Sequence, residues 1–276
     1  FYSDGVSVWN RAHELMVNGR NLKGNSSSTS SALIIPKPGS DKLYMLFTLA
    51  ASVGKDGLCY SVVDMSLSNG LGAIDPKHKN VFVRNGLVEK LTAVKHKNGK
   101  DYWIIVHEWK SNQFSSYLLT SSGITSNEVV SKVGSVHTGG SLNAQGYMKC
   151  SPDGTSLALV LEESGAFELF NFNNETGTVS EVIQLRFLPK DYIYGLEFSP
   201  NGKVLYVSAA GPGEIYQFDV TEKKQELIEK SKYRVWSNEQ ACYIGALQLA
   251  ANGKIYFSQM NERSLGVINK PNKIGE

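Results

Sequence analysis

The residues in this sequence that most resemble a chemical site are His107-Glu108-Trp109, where an apolar strand-like run ends and a loop begins. A histidine beside a carboxylate can act in acid–base catalysis or contribute to a metal site. Adjacent strand residues point to opposite faces of a sheet, however, so His107 and Glu108 are poor partners. The simpler interpretation is that His107 makes a structural hydrogen bond between neighbouring sheets.

The second candidate is His137, which lies in a glycine-rich loop. The pair His13-Glu14 does not extend to His-Glu-x-x-His, because position 17 is Val17. Phosphate-binding and nucleophile-elbow motifs are absent, and Gly70-Leu71-Gly72 lacks the third glycine and the helix of a dinucleotide site. The sequence therefore gives no catalytic residue, no metal ligand and no cofactor.

Composition limits the classes of partner. The 276 residues carry 28 basic and 26 acidic side chains, a net charge of +2 that gives no reason to expect nucleic acid or an anionic membrane as partner. No run of about 18 apolar residues predicts a membrane-spanning helix. The 3 cysteines lie far apart in the sequence and are expected to be free thiols.

Turn signals recur along the chain and indicate how these residues are positioned. Three are close copies, Ser151-Pro152-Asp153-Gly154, Ser199-Pro200-Asn201-Gly202 and Ala250-Ala251-Asn252-Gly253, and weaker ones occur at Asn98-Gly99 and Pro38-Gly39. Asp-Gly and Asn-Gly favour tight hairpins because both residues tolerate positive φ. A spacing of roughly fifty residues with strand-like runs on both sides is typical of a β-propeller.

The strand pattern predicts one all-β domain over residues 1–276, a propeller of four-stranded antiparallel blades with no helix of useful length. The clearest copy has predicted strands at 146–150, 156–161, 167–172 and 179–185; the next has them at 194–198, 204–208, 214–220 and 225–229. We count six copies that are incomplete at both ends, which predicts six or seven blades in a longer parent chain.

In propellers, ligands usually meet the rim formed by the loops that enter each inner strand and the loops that join the second and third strands. Aromatic side chains beside amides and carboxylates on this rim could hold a sugar or a peptide, although packing between blades also uses many large rings. The candidate binding residues are His107, Glu108, Trp109, His137, Asn143, Gln145, Glu162, Tyr192, Tyr194 and Gln240.

Several segments together resemble the repeat region of large secreted Bacteroidota surface proteins. They are Phe1-Tyr2-Ser3-Asp4-Gly5, Tyr60-Ser61-Val62-Val63-Asp64-Met65, Lys90-Leu91-Thr92-Ala93-Val94-Lys95-His96 and Gln145-Gly146-Tyr147-Met148-Lys149. Such proteins often carry adhesion-type PKD modules and a C-terminal sorting domain for type IX secretion. The resemblance implies a propeller exported to the cell surface or the medium, and it implies no defined reaction.

Three functions remain open from the sequence. The first is a non-catalytic recognition or scaffold module that binds a protein or a glycan at the channel rim, as a monomeric domain of a larger chain. The alternative is a hydrolase or lyase that uses the central channel of a lactonase-like propeller, which would need a metal or a histidine–carboxylate pair in the channel. A third, homotypic assembly through exposed outer strands, would make the chain self-associate.

Overall fold

The computed structural model describes residues 1–186, 192–211, 213–237 and 243–275. They form antiparallel sheets that follow one another along the chain, each from consecutive strands, and together make an all-β propeller. A short hairpin comes first and five blades follow. The hairpin strands are β1 (Tyr2–Ser3) and β2 (Val8–Trp9).

The first two blades have the four-strand plan plus one extra strand on the outer side. In each, two short strands share the outer edge of the third strand. Blade 1 contains β3 (Ala32–Pro36), β4 (Leu43–Leu49), β5 (Leu58–Asp64), β6 (Ala73–Ile74) and β7 (Val81–Arg84). Blade 2 contains β8 (Leu87–Lys95), β9 (Tyr102–Glu108), β10 (Gln113–Thr120), β11 (Gly123–Ile124) and β12 (Val129–Lys132).

The remaining blades follow the simple order of strands, and the last has three strands among the described residues. Blade 3 contains β13 (Met148–Cys150), β14 (Ser156–Leu161), β15 (Ala166–Asn173) and β16 (Thr178–Arg186). Blade 4 contains β17 (Ile193–Phe198), β18 (Val204–Ala209), β19 (Glu214–Asp219) and β20 (Tyr233–Ser237). Blade 5 contains β21 (Ile244–Leu249), β22 (Ile255–Gln259) and β23 (Gly266–Ile268).

The hydrophobic core lies between blades. One cluster joins blades 1 and 2, and further clusters join blades 2 and 3, 3 and 4, and 4 and 5. All residues of β14 and β18 are buried, because each strand is covered on both faces. Phe167 of blade 3 packs against Phe218 of blade 4 with ring centroids 4.9 Å apart. A single sheet therefore leaves apolar surface exposed until its neighbours cover it.

The repeated turns have the chemistry that the sequence predicts. Gly154 has a φ of 69°, and the Asp153 carboxylate accepts hydrogen bonds from the Ser151 hydroxyl and the Thr155 amide. The corresponding Asn201 side chain accepts from the Ser199 hydroxyl. These side chains stabilise the turns between the first and second strands. Such turns lie on the side of the propeller opposite to the loops that enter the inner strands.

One prediction is confirmed only in part, and one is wrong. The described residues form five blades, so the expected six or seven are not confirmed. The outer strand predicted at 225–229 is instead a short helix, α1 (Gln225–Lys230), and the outer strand β20 comes after it. The segment is rich in helix-forming residues and buries only Ile228, which fits one helical turn against blades 3 and 4 better than an alternating strand.

Smaller features complete the fold. Single turns of 3-10 helix occur at Ser68–Gly70, Pro76–His78 and Ser141–Ala144. Cys59 and Cys150 are free thiols, and Cys242 lies outside the described residues. In the described ranges no helix has both the length and the apolar character that crossing a bilayer requires.

Candidate functional site

The loops that enter the inner strands and the loops after the second strands meet at one rim. The Ser52 amide donates to the Glu89 carboxylate at 2.8 Å. The Lys110 amide donates to the His137 carbonyl at 2.7 Å, and the Met260 amide donates to the Tyr243 carbonyl at 2.9 Å. The rim proposed from the sequence is therefore a continuous surface built by several blades.

Thr29, in the serine-rich segment before blade 1, ties four blades together at the centre of this rim. Its amide and its hydroxyl donate to Glu89 Oε2 at 2.7 and 3.0 Å. The Gly146 amide donates to the Thr29 hydroxyl at 3.1 Å, and the Tyr194 hydroxyl lies within hydrogen-bonding reach of it. The side chain is buried, so the segment closes over the inner strands.

Lys90 is fully buried beside Glu89. Its ammonium donates to the Gln145 carbonyl. Burial lowers the pKa of Lys90 to about 7, and the charges of Glu89 and Glu162 oppose that shift. Two backbone amides and one hydroxyl donate hydrogen bonds to the Glu89 carboxylate.

His107 and His137 lie next to each other near this lysine, with ring centroids 4.0 Å apart and the ring planes tilted by 35°. His107 Nδ1 is 2.9 Å from the Glu108 carbonyl, and its ring meets the edge of Phe114. Burial, together with the nearby Lys90 charge, lowers the pKa of His107 to about 3. The pKa of His137 is also lowered, by burial and then by His107 and Lys90. Both rings are therefore neutral at ordinary pH.

Several buried polar atoms at this rim have no hydrogen-bond partner among the described residues. They are both ring nitrogens of His137, the hydroxyls of Ser28 and Ser30, Asn143 Oδ1 and Glu162 Oε2. Each such atom costs about 1–3 kcal/mol if it stays unpaired, so bound water or a ligand normally satisfies it. Unpaired atoms grouped at one rim mark this region as a candidate binding site.

Glu162 connects the buried groups to an open pocket of about 320 Å³. Burial raises the pKa of Glu162 to about 7, although the Lys90 charge lowers it and the Glu89 charge raises it. Tyr194 and Tyr243 also line the pocket, and its remaining walls come from blades 4 and 5. Those wall residues are Ala210, Ile244, Gly245, Ser258, Gln259 and Met260.

A larger groove of about 490 Å³ lies at the outer side of blade 1, lined among others by Tyr60, Asp64 and His78. His78 there pairs with Asp75 at 2.6 Å, and both side chains are solvent-accessible. No atom of this groove is among the buried polar atoms that lack a partner. The rim pocket is therefore the stronger candidate despite its smaller volume.

In the structure, three of the candidate binding residues make contacts outside the pair of buried histidines. The Glu108 carboxylate pairs with Arg84 of blade 1 and accepts from Gln113 of blade 2, so it belongs to an ion-pair network between these two blades and not to the histidines. Trp109 is half-buried, and its amide donates to the Gly86 carbonyl. Tyr192 is exposed, and its carbonyl accepts from the Ala210 amide.

Four of the remaining candidates lie at the centre of the rim, and one is not described. Gln145 contributes its carbonyl to Lys90, Asn143 donates to the Thr138 carbonyl, and Glu162 and Tyr194 share the pocket. Gln240 lies outside the described residues.

Sequence reasoning missed Thr29, Glu89 and Lys90. One signal was available: Glu89-Lys90 is a pair of charges inside the apolar run of β8, and such charges are almost never buried without partners. Within the described part of the chain, no three histidine, cysteine or carboxylate side chains are placed to hold a metal ion.

Comparison with known proteins supports the β-propeller fold. No protein-family model and no curated protein matches the chain. Among solved structures it is similar to a putative 6-phosphogluconolactonase from Bacteroides uniformis, at 14% identity and a TM-score of 0.50, over 83% of this chain and 67% of that one. It is equally similar to the Cps50 (Swd1) β-propeller domain of Myceliophteria thermophila, at 9% identity and a TM-score of 0.50, over 84% and 68%. A luciferin-regenerating enzyme matches at 11% identity and a TM-score of 0.50, over 82% and 69%. At these identities, the comparisons show the β-propeller fold alone.

Proposed function

We propose that this propeller is a non-catalytic recognition module that binds a protein or glycan ligand in the rim pocket. The single observation that carries the proposal is Glu162 Oε2, a buried carboxylate oxygen without a partner at the edge of an open pocket. A ligand group that donates a hydrogen bond there would satisfy an atom that is otherwise costly to bury.

Burial of the other titratable groups supports recognition over catalysis. A catalytic acid or base must come within hydrogen-bonding distance of the substrate. Lys90 and His137 have no exposed surface, and Glu89 and His107 have 1% each. Glu162 and Tyr194 line the pocket, whereas these four groups do not, so a ligand in the pocket meets Glu162 and Tyr194.

A second candidate function is hydrolase or lyase activity, and one observation favours it. The pKa values of Lys90 and Glu162 both lie at about 7, and the two groups are electrostatically coupled. Groups poised near the working pH are suited to proton transfer. The propeller neighbours named for lactonase activity show that this fold accommodates such chemistry, but at 14% identity they carry no residue role over.

We propose that the module works in a secreted or cell-surface bacterial protein, as a monomeric domain of a larger chain with neither nucleic acid nor an inserted membrane segment as partner. The support is the resemblance to Bacteroidota surface proteins and the near-neutral charge of +2. We also propose six or seven blades for the complete ring. Val8 of the hairpin β1–β2 and Met16, which follows it, pack on blade 1 as part of a further blade would.

The proposed function is tested with arrays of glycans and peptides probed with the purified domain. Recognition predicts reproducible ligands whose signal falls when Tyr194→Ala truncates the pocket wall, and persists in the matched variant Tyr60→Ala in the outer groove. Blank arrays, combined with turnover of lactone substrates that Glu162→Gln abolishes, would favour the enzymatic alternative.

A further inference from the structure

We propose that the rim pocket recognises a primary ammonium group, presented by a lysine side chain of a protein ligand. This inference rests on the proposed function and names its ligand chemistry. Three features of the pocket argue for it: a carboxylate oxygen without a partner, two tyrosine rings, and an apolar wall.

The carboxylate supplies the charge. Glu162 Oε2 is buried and accepts no hydrogen bond from the described residues. An ammonium is a strong donor to such an oxygen, because charge-assisted hydrogen bonds are about twice as strong as neutral ones. Lys90 does not fill this role: its ammonium donates to the Gln145 carbonyl, and Glu162 Oε2 has no partner among the described residues.

The aromatic and apolar walls supply the fit. Tyr194 and Tyr243 line the pocket together with Glu162, and cations bind favourably over tyrosine faces. Ala210, Ile244 and Met260 form apolar wall suited to methylene groups. A lysine side chain combines a flexible four-carbon stem with a compact ammonium, whereas an amino sugar surrounds its ammonium with hydroxyls that the apolar part of this wall cannot satisfy.

Binding of a cation should depend on pH. Burial keeps the pKa of Glu162 near 7, and the charges that act on it are Lys90 and Glu89, with Glu163 next in the chain. Raising the pH through 7 ionises Glu162 and neutralises Lys90, and both changes favour an incoming ammonium. Affinity should therefore increase between pH 6 and pH 8, and fall only when the ligand amine itself loses its proton near pH 10.

The test uses isothermal titration or NMR with Nα-acetyl-lysine methylamide as the probe. The uncharged control is Nα-acetyl-norleucine methylamide, which has the same four-carbon side chain without the ammonium. Glucosamine and glucose test whether the pocket binds a glycan instead. We expect the lysine probe to bind at least about tenfold tighter than the norleucine probe at pH 8, and to weaken at pH 6. Glu162→Gln should lower its affinity by about 10- to 100-fold, whereas the neighbouring Glu163→Gln should change it less than about twofold.

Equal binding of the lysine and norleucine probes, tighter binding of glucosamine or glucose, or unchanged binding in Glu162→Gln would overturn the inference. The wild-type comparison of probes needs no variant, so it stands even if a substitution disturbs folding. Array ligands that lack any ammonium group would overturn this inference alone and leave the recognition function standing.

Discussion

Thr29 offers the sharpest test of how the centre of the propeller is held together. Thr29→Val keeps the shape and the backbone amide of the residue and removes only its hydroxyl. That hydroxyl donates to Glu89 at 3.0 Å and accepts from the Gly146 amide at 3.1 Å, and all three groups are buried. The substitution therefore removes bonds between the serine-rich segment and the inner strands of blades 2 and 3.

The expected loss follows from these two bonds. The Gly146 amide is left without its acceptor, which costs about 1–3 kcal/mol for a buried donor. Glu89 loses one bond but keeps the amides of Thr29 and Ser52. We expect the free energy of unfolding to fall by about 2–4 kcal/mol in total.

Equilibrium urea unfolding followed by circular dichroism measures this change. With an m value of about 3 kcal/mol/M, the midpoint should fall by roughly 1 M. Thr29→Ser retains the hydroxyl and should lose only about 1 kcal/mol for the missing methyl group. Thr176→Val, at an exposed turn, should stay within about 0.5 kcal/mol of wild type. A midpoint for Thr29→Val equal to that of wild type would refute the assigned role of the hydroxyl.

Two further predictions concern the same centre. Burial lowers the folded-state pKa of Lys90 to about 7 from 10.5, so between these pH values the unfolded chain binds the additional proton, and stability should rise with pH. Lys90→Met should remove this rise in stability between pH 7 and pH 9. If the urea midpoint rises equally in the wild type and in Lys90→Met over this range, the assignment to Lys90 is wrong. Gly146→Ala should destabilise the fold by more than about 2 kcal/mol, because Gly146 has a φ of 88° and a Cβ there would lie 2.4 Å from a valine methyl group. Gly99→Ala, with a φ of 70° and open space around it, should cost about 1–2 kcal/mol, and an equal thermal shift in both variants would argue against the close packing at Gly146.

The blade plan could be predicted because its determinants are local. Asp153-Gly154 and Asn201-Gly202 mark turns by their own backbone preferences, and continuous apolar runs such as β14 mark strands covered on both faces. The helix α1 was missed because one helical turn with a single buried residue leaves too short a pattern to distinguish from an outer strand.

The candidate site was only partly predictable because its contacts are long-range. Thr29 and Glu89 are 60 residues apart, and Thr29 and Gly146 are 117 apart. The packing of the blades determines which side chain of the serine-rich segment lies at the centre of the rim. No local sequence pattern predicts this packing. Glu162 and Tyr194 were found because rim loops of propellers are recognisable from strand order alone.

Ligands are expected to meet this protein at the rim pocket of Glu162. The most direct measurement is an NMR titration of the isotope-labelled domain with the lysine probe or an array ligand. We expect chemical shifts to change at Glu162, Tyr194 and Gly245, which line the pocket, while Tyr60 and His78 of the outer groove stay unchanged. Changes confined to the outer groove, with the pocket residues unaffected, would contradict it.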